Sequence, residues 1–515
     1  MRFPMKIARF FRVVALQVWL AAAAIASPLQ DAVRAHRVAH EQALMAEYRE
    51  LVGIPNVGTD QPNIRRNAEF IVAMMQRRGI PAELLEGKTP ATNPLVFGEI
   101  KVPGATRTVV FYAHYDGQPV NPKEWAEGLD PWKPVFLTAP LSRGGRIVTD
   151  WKSGDAINPD WRVNGRASAD DKAGIFAILN GYAALVATGG RPTVNVKFCF
   201  EGEEEMGSTH LGELLELHRA KLAGDLWIIC DGPRPVSGRK SVVFGVRGDV
   251  NMNLTVYGAK RPLHSGNYGN WAPNPADRLV ALLASMKDEK GLVLIQGFYD
   301  DYVMFSESER IAIKDAPDTD AALLQDLGLK APEVPGRSLL EGFELPGLNL
   351  NGVTAANTGK TATNVIPAVA WATLDLRLVL GIDWRKQTER VIEHMRTQGW
   401  HVIDREPTDA QRAQFDKLVM VEVGHGYNAQ RTLMNLPLAQ SVVAAVQTTT
   451  KEPVVRLPTG GGSLPLSVIE EKLGAKVISV PAANYDNNQH AENENMLVRY
   501  LWEGMETFAA LMTMR

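Results

Sequence analysis

Five short segments hold the side chains of this protein best able to do chemistry. They are Y-A-H-Y-D-G-Q-P around His114 and Asp116, S-A-D-D-K around Asp170, E-G-E-E-E-M-G-S around Glu204 and Glu205, I-C-D-G-P around Asp231, and N-Q-H-A-E-N-E around His490. A lone acidic residue after a strand is ordinarily a helix cap or a solvated turn. Five such segments in succession form a different kind of signal, because together they supply carboxylates and imidazoles. That donor set suits zinc, manganese or cobalt, whereas calcium takes oxygen alone.

Such donors need elements that aim them at one place. Thr108 to Ala113, Val194 to Phe200 and Leu226 to Cys230 are short β-rich runs, each leading into an acidic or His-containing turn. Ile64, Ala68, Ile71 and Met75 recur at helical spacing before Gly79, and Asp171 to Thr188 reads as a helix closed by Gly189-Gly190. Strands alternating with helices predict an α/β sheet, and reactive groups then gather at the carboxyl ends of its strands.

The texture changes near Ser241. Val242 to Val256 and Ala370 to Leu380 read as long strands, with a helix from Pro275 to Lys287 between them, the pattern of an inserted α+β unit. Helical character returns after Met434, and Lys476 to Val480 reads as a buried strand. The expected division is residues 28–240 and 428–515 for one domain and 241–427 for the insertion.

The 515 residues exceed one ordinary core, and 45% hydrophobic with 22% charged residues describes a packed globular chain. With 55 basic against 58 acidic residues and no long basic run beyond the start, nucleic acid is not an expected partner. Arg2, Lys6, Arg9 and Arg12 precede the apolar run Val13 to Ala26, which predicts a signal peptide over residues 1–26 and an exported, periplasmic or secreted product without a membrane span. Cys199 and Cys230 each lie in an apolar run and are expected to be buried free thiols rather than a disulfide.

In this order, the five segments resemble the two-zinc exopeptidase family of carnosinase, glutamate carboxypeptidase, aminoacylase and succinyl-diaminopimelate desuccinylase, across nearly the whole chain after residue 26. The resemblance implies two divalent cations. His114 and Asp231 would hold one, Glu205 and His490 the other, and Asp170 would bridge them, a short carboxylate offsetting the repulsion of two close ions. Asp116, two residues past His114 on the same side of an extended chain, would fix the imidazole tautomer; the alternative is a turn-forming Asp before Gly117. The Asp170-Asp171 peptide would be cis. Glu204 would be the general base, its register anchored by Gly207-Ser208. His264, in L-H-S-G-N-Y-G, would reach the partner subunit's site in a homodimer and steady an oxyanion. Asn364, Arg377 and Ser463 would bind substrate, Arg377 gripping a carboxylate with its planar fork.

Departures from the family begin at Thr459-Gly460, where carnosinase-type dipeptidases carry an Arg-Glu pair whose Glu can meet a free amine. Asn435 to Leu438 also lacks the histidines of those enzymes. The resulting expectation is a metal-dependent hydrolase that uses a metal-activated water and Glu204 to cleave an amide bond of a small carboxylate-bearing substrate such as a dipeptide. An N-acyl amino acid deacylase is the alternative within enzymes. A non-catalytic peptide- or metal-binding dimer is the alternative from another class, and it has no need of Glu204.

Overall fold

The computed structural model describes residues 28–515, so the expected signal segment lies outside the described residues. Two sheets organise the chain. The larger has eight strands, in spatial order Ala82–Leu85, Leu95–Ile100, Asn195–Glu201, Thr108–His114, Leu226–Ile229, Lys476–Ser479, Ser241–Val243 and Val455–Leu457. Its middle four run parallel.

Period-two alternation decides what each face of this sheet buries. Val109, Phe111, Ala113, Val196, Phe198 and Phe200 enter a core shared with the helices Lys172–Ala187 and Val498–Met512. Val110, Tyr112, Cys199, Trp227 and Ile229 enter the opposite core, under the helices Leu211–Leu217 and Leu466–Leu473. The central strands are thus covered on both faces, as parallel strands require, and read as nearly unbroken apolar runs. Cys199 and Cys230 are buried and free.

The second sheet has the order Gly347–Thr354, Val369–Leu378, Gly248–Tyr257, Leu418–Val423 and His401–Ile403, antiparallel except for its last pair. Val250, Met252, Leu254, Leu374, Leu376 and Leu378 face the helices Pro275–Ala284 and Trp384–Thr397. The other face is polar along its middle, with Asn251, Asn253 and Thr373. The fold is mixed α/β with an inserted antiparallel unit.

The run Val242 to Val256 is not one strand. Ser241–Val243 stays with the first sheet, Gly245–Val246 makes a short pairing with Gln430–Arg431, and Gly248–Tyr257 begins the second sheet. The breaks fall at glycines pressed against other backbone: a Cβ on Gly245 would lie 2.4 Å from the Gln430 carbonyl oxygen, and one on Gly248 2.5 Å from that of Tyr427. The 25-residue helix Pro28–Val52 and the short helices Glu307–Asp315, Asp320–Asp326 and Leu339–Gly342 were not expected. Among the described residues no helix is long and apolar enough to cross a membrane.

Candidate metal centre

The parallel strands deliver the ligands. His114 ends its strand in register with Glu201, and Asp231 follows the neighbouring strand, so all three emerge at one edge of the sheet. Asp170 is set by the loop before helix Lys172–Ala187, which Asp171 caps through its carboxylate on the Gly174 N–H. The Asp170-Asp171 peptide is cis.

Asp170 stands between the two histidines. Its Oδ1 lies 2.9 Å from His114 Nε2 and its Oδ2 3.1 Å from His490 Nε2. Asp231 lies 3.6 Å and Glu204 3.9 Å from His114 Nε2, while Glu205 lies 3.3 Å from His490 Nε2. Two sets of donor atoms, from His114, Glu204 and Asp231 and from His114, Asp170 and Glu205, each fall within 4.8 Å of one another.

The electrostatics say what belongs there. Burial works to raise the Asp170 pKa, but the bonds from His114 and His490 outweigh it and hold this carboxyl below the usual range. Glu205 is pushed up to about 8 and Asp231 to about 6, in each case by burial first and by the Asp170 charge next. Crowded, buried carboxylates short of positive charge fit a divalent cation, and the mixed N/O donors fit a zinc-like one.

Supporting contacts hold these ligands. Asp116 does more than face the His114 ring at 3.4 Å, since its two oxygens accept the backbone N–H groups of Glu204 and Glu205 at 3.1 and 3.0 Å. One side chain therefore orients the imidazole and shapes the 3-10 turn Glu204–Met206. Glu494, to which the sequence assigned no role, is buried and accepts from Ala167, Ala169 and Asp170 N–H and from Arg166, all within 3.0 Å. It clamps the loop that presents Asp170. Gln118 and Gln489 donate to Glu205 and Asp170 at 2.8 and 3.0 Å. Only position in N-Q-H-A-E-N-E hinted at Glu494.

Asp170, Glu204, Glu205, Asp231, Gln489 and His490 line a cleft of about 1250 Å³ that also takes in Arg377, Asp249, Tyr427 and the Gly460–Ser463 loop. The Ser463 hydroxyl donates to the Gly248 carbonyl at 3.3 Å. His264 and Asn364 are elsewhere: His264 sits on the small sheet Leu263–His264 with Val365–Ile366 and Asn364 just before its second strand, both exposed and outside the cleft lining. Asp170, Glu205, Asp231, His490, Glu204, Arg377 and Ser463 line the cleft and His114 is buried against Asp170, whereas those two residues lie apart.

A cleft floored by the buried His114, the more exposed His490 and a cluster of crowded carboxylates defines a metal-dependent hydrolase. The chain belongs to Peptidase family M20/M25/M40, whose model matches residues 110–514. It is 25% identical over 480 residues to the Cys-Gly metallodipeptidase dug1 of Schizosaccharomyces pombe, covering 89% of this chain and 92% of that protein. It is 26% identical over 450 residues to the human Beta-Ala-His dipeptidase, covering 84% and 79%. Among solved structures it resembles the M20 family metallo-carboxypeptidase Sso-CP2 of Sulfolobus solfataricus, with a TM-score of 0.74, 26% identity and 91% and 98% of the two chains covered. The chain is accordingly a metallopeptidase. The expectation of export is corrected: the yeast dipeptidases among its relatives are cytosolic, and nothing in the comparisons shows export.

Proposed function

We propose that this protein is a dipeptidase-type exopeptidase that cleaves the amide bond of a small substrate bearing a free carboxylate. In this reading His114 and Asp231 hold one divalent cation, Glu205 and His490 hold a second, and Asp170 is shared. The observation that carries it is the division of labour at Asp170, one oxygen on each histidine. Bound there, zinc, manganese or cobalt supplies Lewis-acid polarisation of the carbonyl and acidifies water.

The chain's own residues do the rest. Glu204, held by Asp116 through its backbone, takes a proton from the attacking water and passes it to the departing amine. Burial favours the protonated form of Glu204, which suits an acid in the second half of that exchange. Arg377 binds the substrate carboxylate and the Gly460–Ser463 loop lies along the substrate. His264 and Asn364, stranded at an exposed two-stranded sheet, serve the cleft of a second copy, so the working unit is a homodimer.

A second reading is kept by one feature: the cleft segment Thr459–Ser463 is neutral, with no carboxylate for a free amine. It favours an N-acyl amino acid. Full-length protein loaded with zinc, manganese or cobalt is to be assayed by amine release on Cys-Gly, Ala-Leu and N-acetyl-Ala-Leu. Cleavage of the free dipeptides supports the first reading, cleavage of the acetylated analogue alone replaces it with the deacylase, and metal binding without turnover of any of the three defeats both.

A further inference from the structure

On the wall of the cleft, register brings three charged side chains together. Asp249 and Arg377 are directly paired across adjacent strands, and Asp375 lies two residues from Arg377 on the same face. Arg377 Nε donates to Asp375 at 3.1 Å, and Asp249 lies 3.7 Å from the same nitrogen. Both carboxylates thus take the Nε side of the guanidinium, and its Nη groups make no hydrogen bond among the described residues. Asp375 is nearly fully buried, and one oxygen of each aspartate is buried without a donor.

The surroundings lock this arrangement. Arg247 spends its guanidinium on the carbonyls of Leu345 and Arg377, at 2.9 and 3.4 Å, and so fixes the backbone of Arg377. Asp249 and Tyr427 exchange two backbone hydrogen bonds of 3.1 Å, which fix Asp249. An arginine offers two donor edges, and filling one leaves the other aimed in a set direction with less freedom to lose on binding.

We propose that Asp375 and Asp249 are positioning residues, holding Arg377 by its Nε side so that its Nη edge selects substrates with a free carboxylate. This rests on the exopeptidase reading above. It also makes capture sensitive to pH. Asp249 is pushed up to about 7, by burial first and by the adjacent Asp375 next, against the pull of Arg377. The groups facing it are Arg377 and Asp375 on the neighbouring strand, Arg247 before its own strand, and Tyr427 across the bridge. As Asp249 ionises, a second negative charge beside Arg377 opposes the incoming carboxylate, so KM climbs through neutral pH.

The test compares Ala-Leu with its C-terminal amide on the metal-loaded full chain. Asp375→Asn is expected to lower the preference for the acid about tenfold, through KM and not kcat, with Asp375→Glu restoring part of it. Asp249→Asn is expected to flatten the rise of KM above pH 7. A preference unchanged in Asp375→Asn, or a KM rise that persists in Asp249→Asn, overturns the proposal. Calorimetric binding of the two ligands to the same variants in a Glu204→Gln background reads the preference without turnover. A wild-type enzyme that cleaves neither substrate therefore counts against the exopeptidase reading, while the binding ratio still decides this one.

Discussion

His114, Asp170, Glu205 and Asp231 leave the ends and loops of a sheet buried on both faces, and each is tied down by a neighbour such as Asp116 or Glu494. Asp249, Asp375 and Arg377 instead lie side by side on the half-exposed face of a second sheet, and His264 and Asn364 stand at a small two-stranded sheet outside the cleft lining. The floor is a constellation whose candidate donors all come from one chain. The wall is assembled from cross-strand pairs and, in our reading, from a second copy. Chemistry that needs sub-ångström placement sits on the sheet buried on both faces, and substrate selection sits on the half-exposed one.

The largest expected effect strikes the floor. Glu204→Gln should cut kcat by roughly 10² to 10⁴-fold while the metal content per chain stays at the wild-type value, because the base is lost and no ligand is. Metal analysis beside a turnover assay checks it. Turnover near wild type would break the assignment, and lost metal would move Glu204 among the ligands.

The wall should fail differently. His264→Ala alone is expected to lose on the order of 10² to 10³-fold in kcat, as an oxyanion donor does. Mixed and reassembled with Glu204→Gln, it should regain roughly a quarter of wild-type activity, since half of the dimers are then mixed and each has one intact site. No recovery on mixing would leave His264 idle or confined to its own chain, and the contrast between floor and wall would collapse to one of distance.

How much of this could be read from the residue order follows the same division. The floor was legible because its ligands come as short contiguous motifs at the ends of apolar strands, and His114, Asp170, Glu205, Asp231 and His490 do converge. The Glu494 clamp was hidden, because it acts on backbone N–H groups more than 300 residues away and leaves no local pattern. The grip of Asp249 on Arg377 was equally invisible: it depends on the register of strands 128 positions apart in the sequence. The helix Pro28–Val52 escaped because ionisable residues from Arg34 to Glu41 interrupt its apolar face. The helices between 307 and 342 escaped for a simpler reason, being short, with capping-box serines as their clearest signal.

A smaller effect sharpens the account of the floor. Glu494→Gln keeps the size of the clamp but removes the charge that three N–H groups and Arg166 share. Metal affinity is expected to fall about 10 to 100-fold, the usual result of disturbing what orients a ligand. Competition with a chelator measures it. Unchanged affinity would mean that the cis loop carries Asp170 without help.

An effect on stability, with the least bearing on turnover, concerns the place where the chain leaves the floor for the wall. Lys240 precedes strand Ser241–Val243 and is buried, its amine donating to the Thr449 and Thr507 hydroxyls at 2.8 and 2.9 Å. Burial, and then the charge of Arg234, push its pKa down to about 7, well under the value of a lysine in an unfolded chain. Between pH 7 and 10 the unfolded state therefore binds more protons than the folded one, and stability from this group rises with pH; below pH 7 both states are charged and the dependence ends. Lys240→Met should remove that part of the slope, on the order of a few kcal/mol across the window. Denaturant unfolding at pH 7 and pH 10 compares the two proteins. Equal slopes would place the Lys240 amine in water, and the exit from the first sheet would then be as exposed as the small sheet that carries His264.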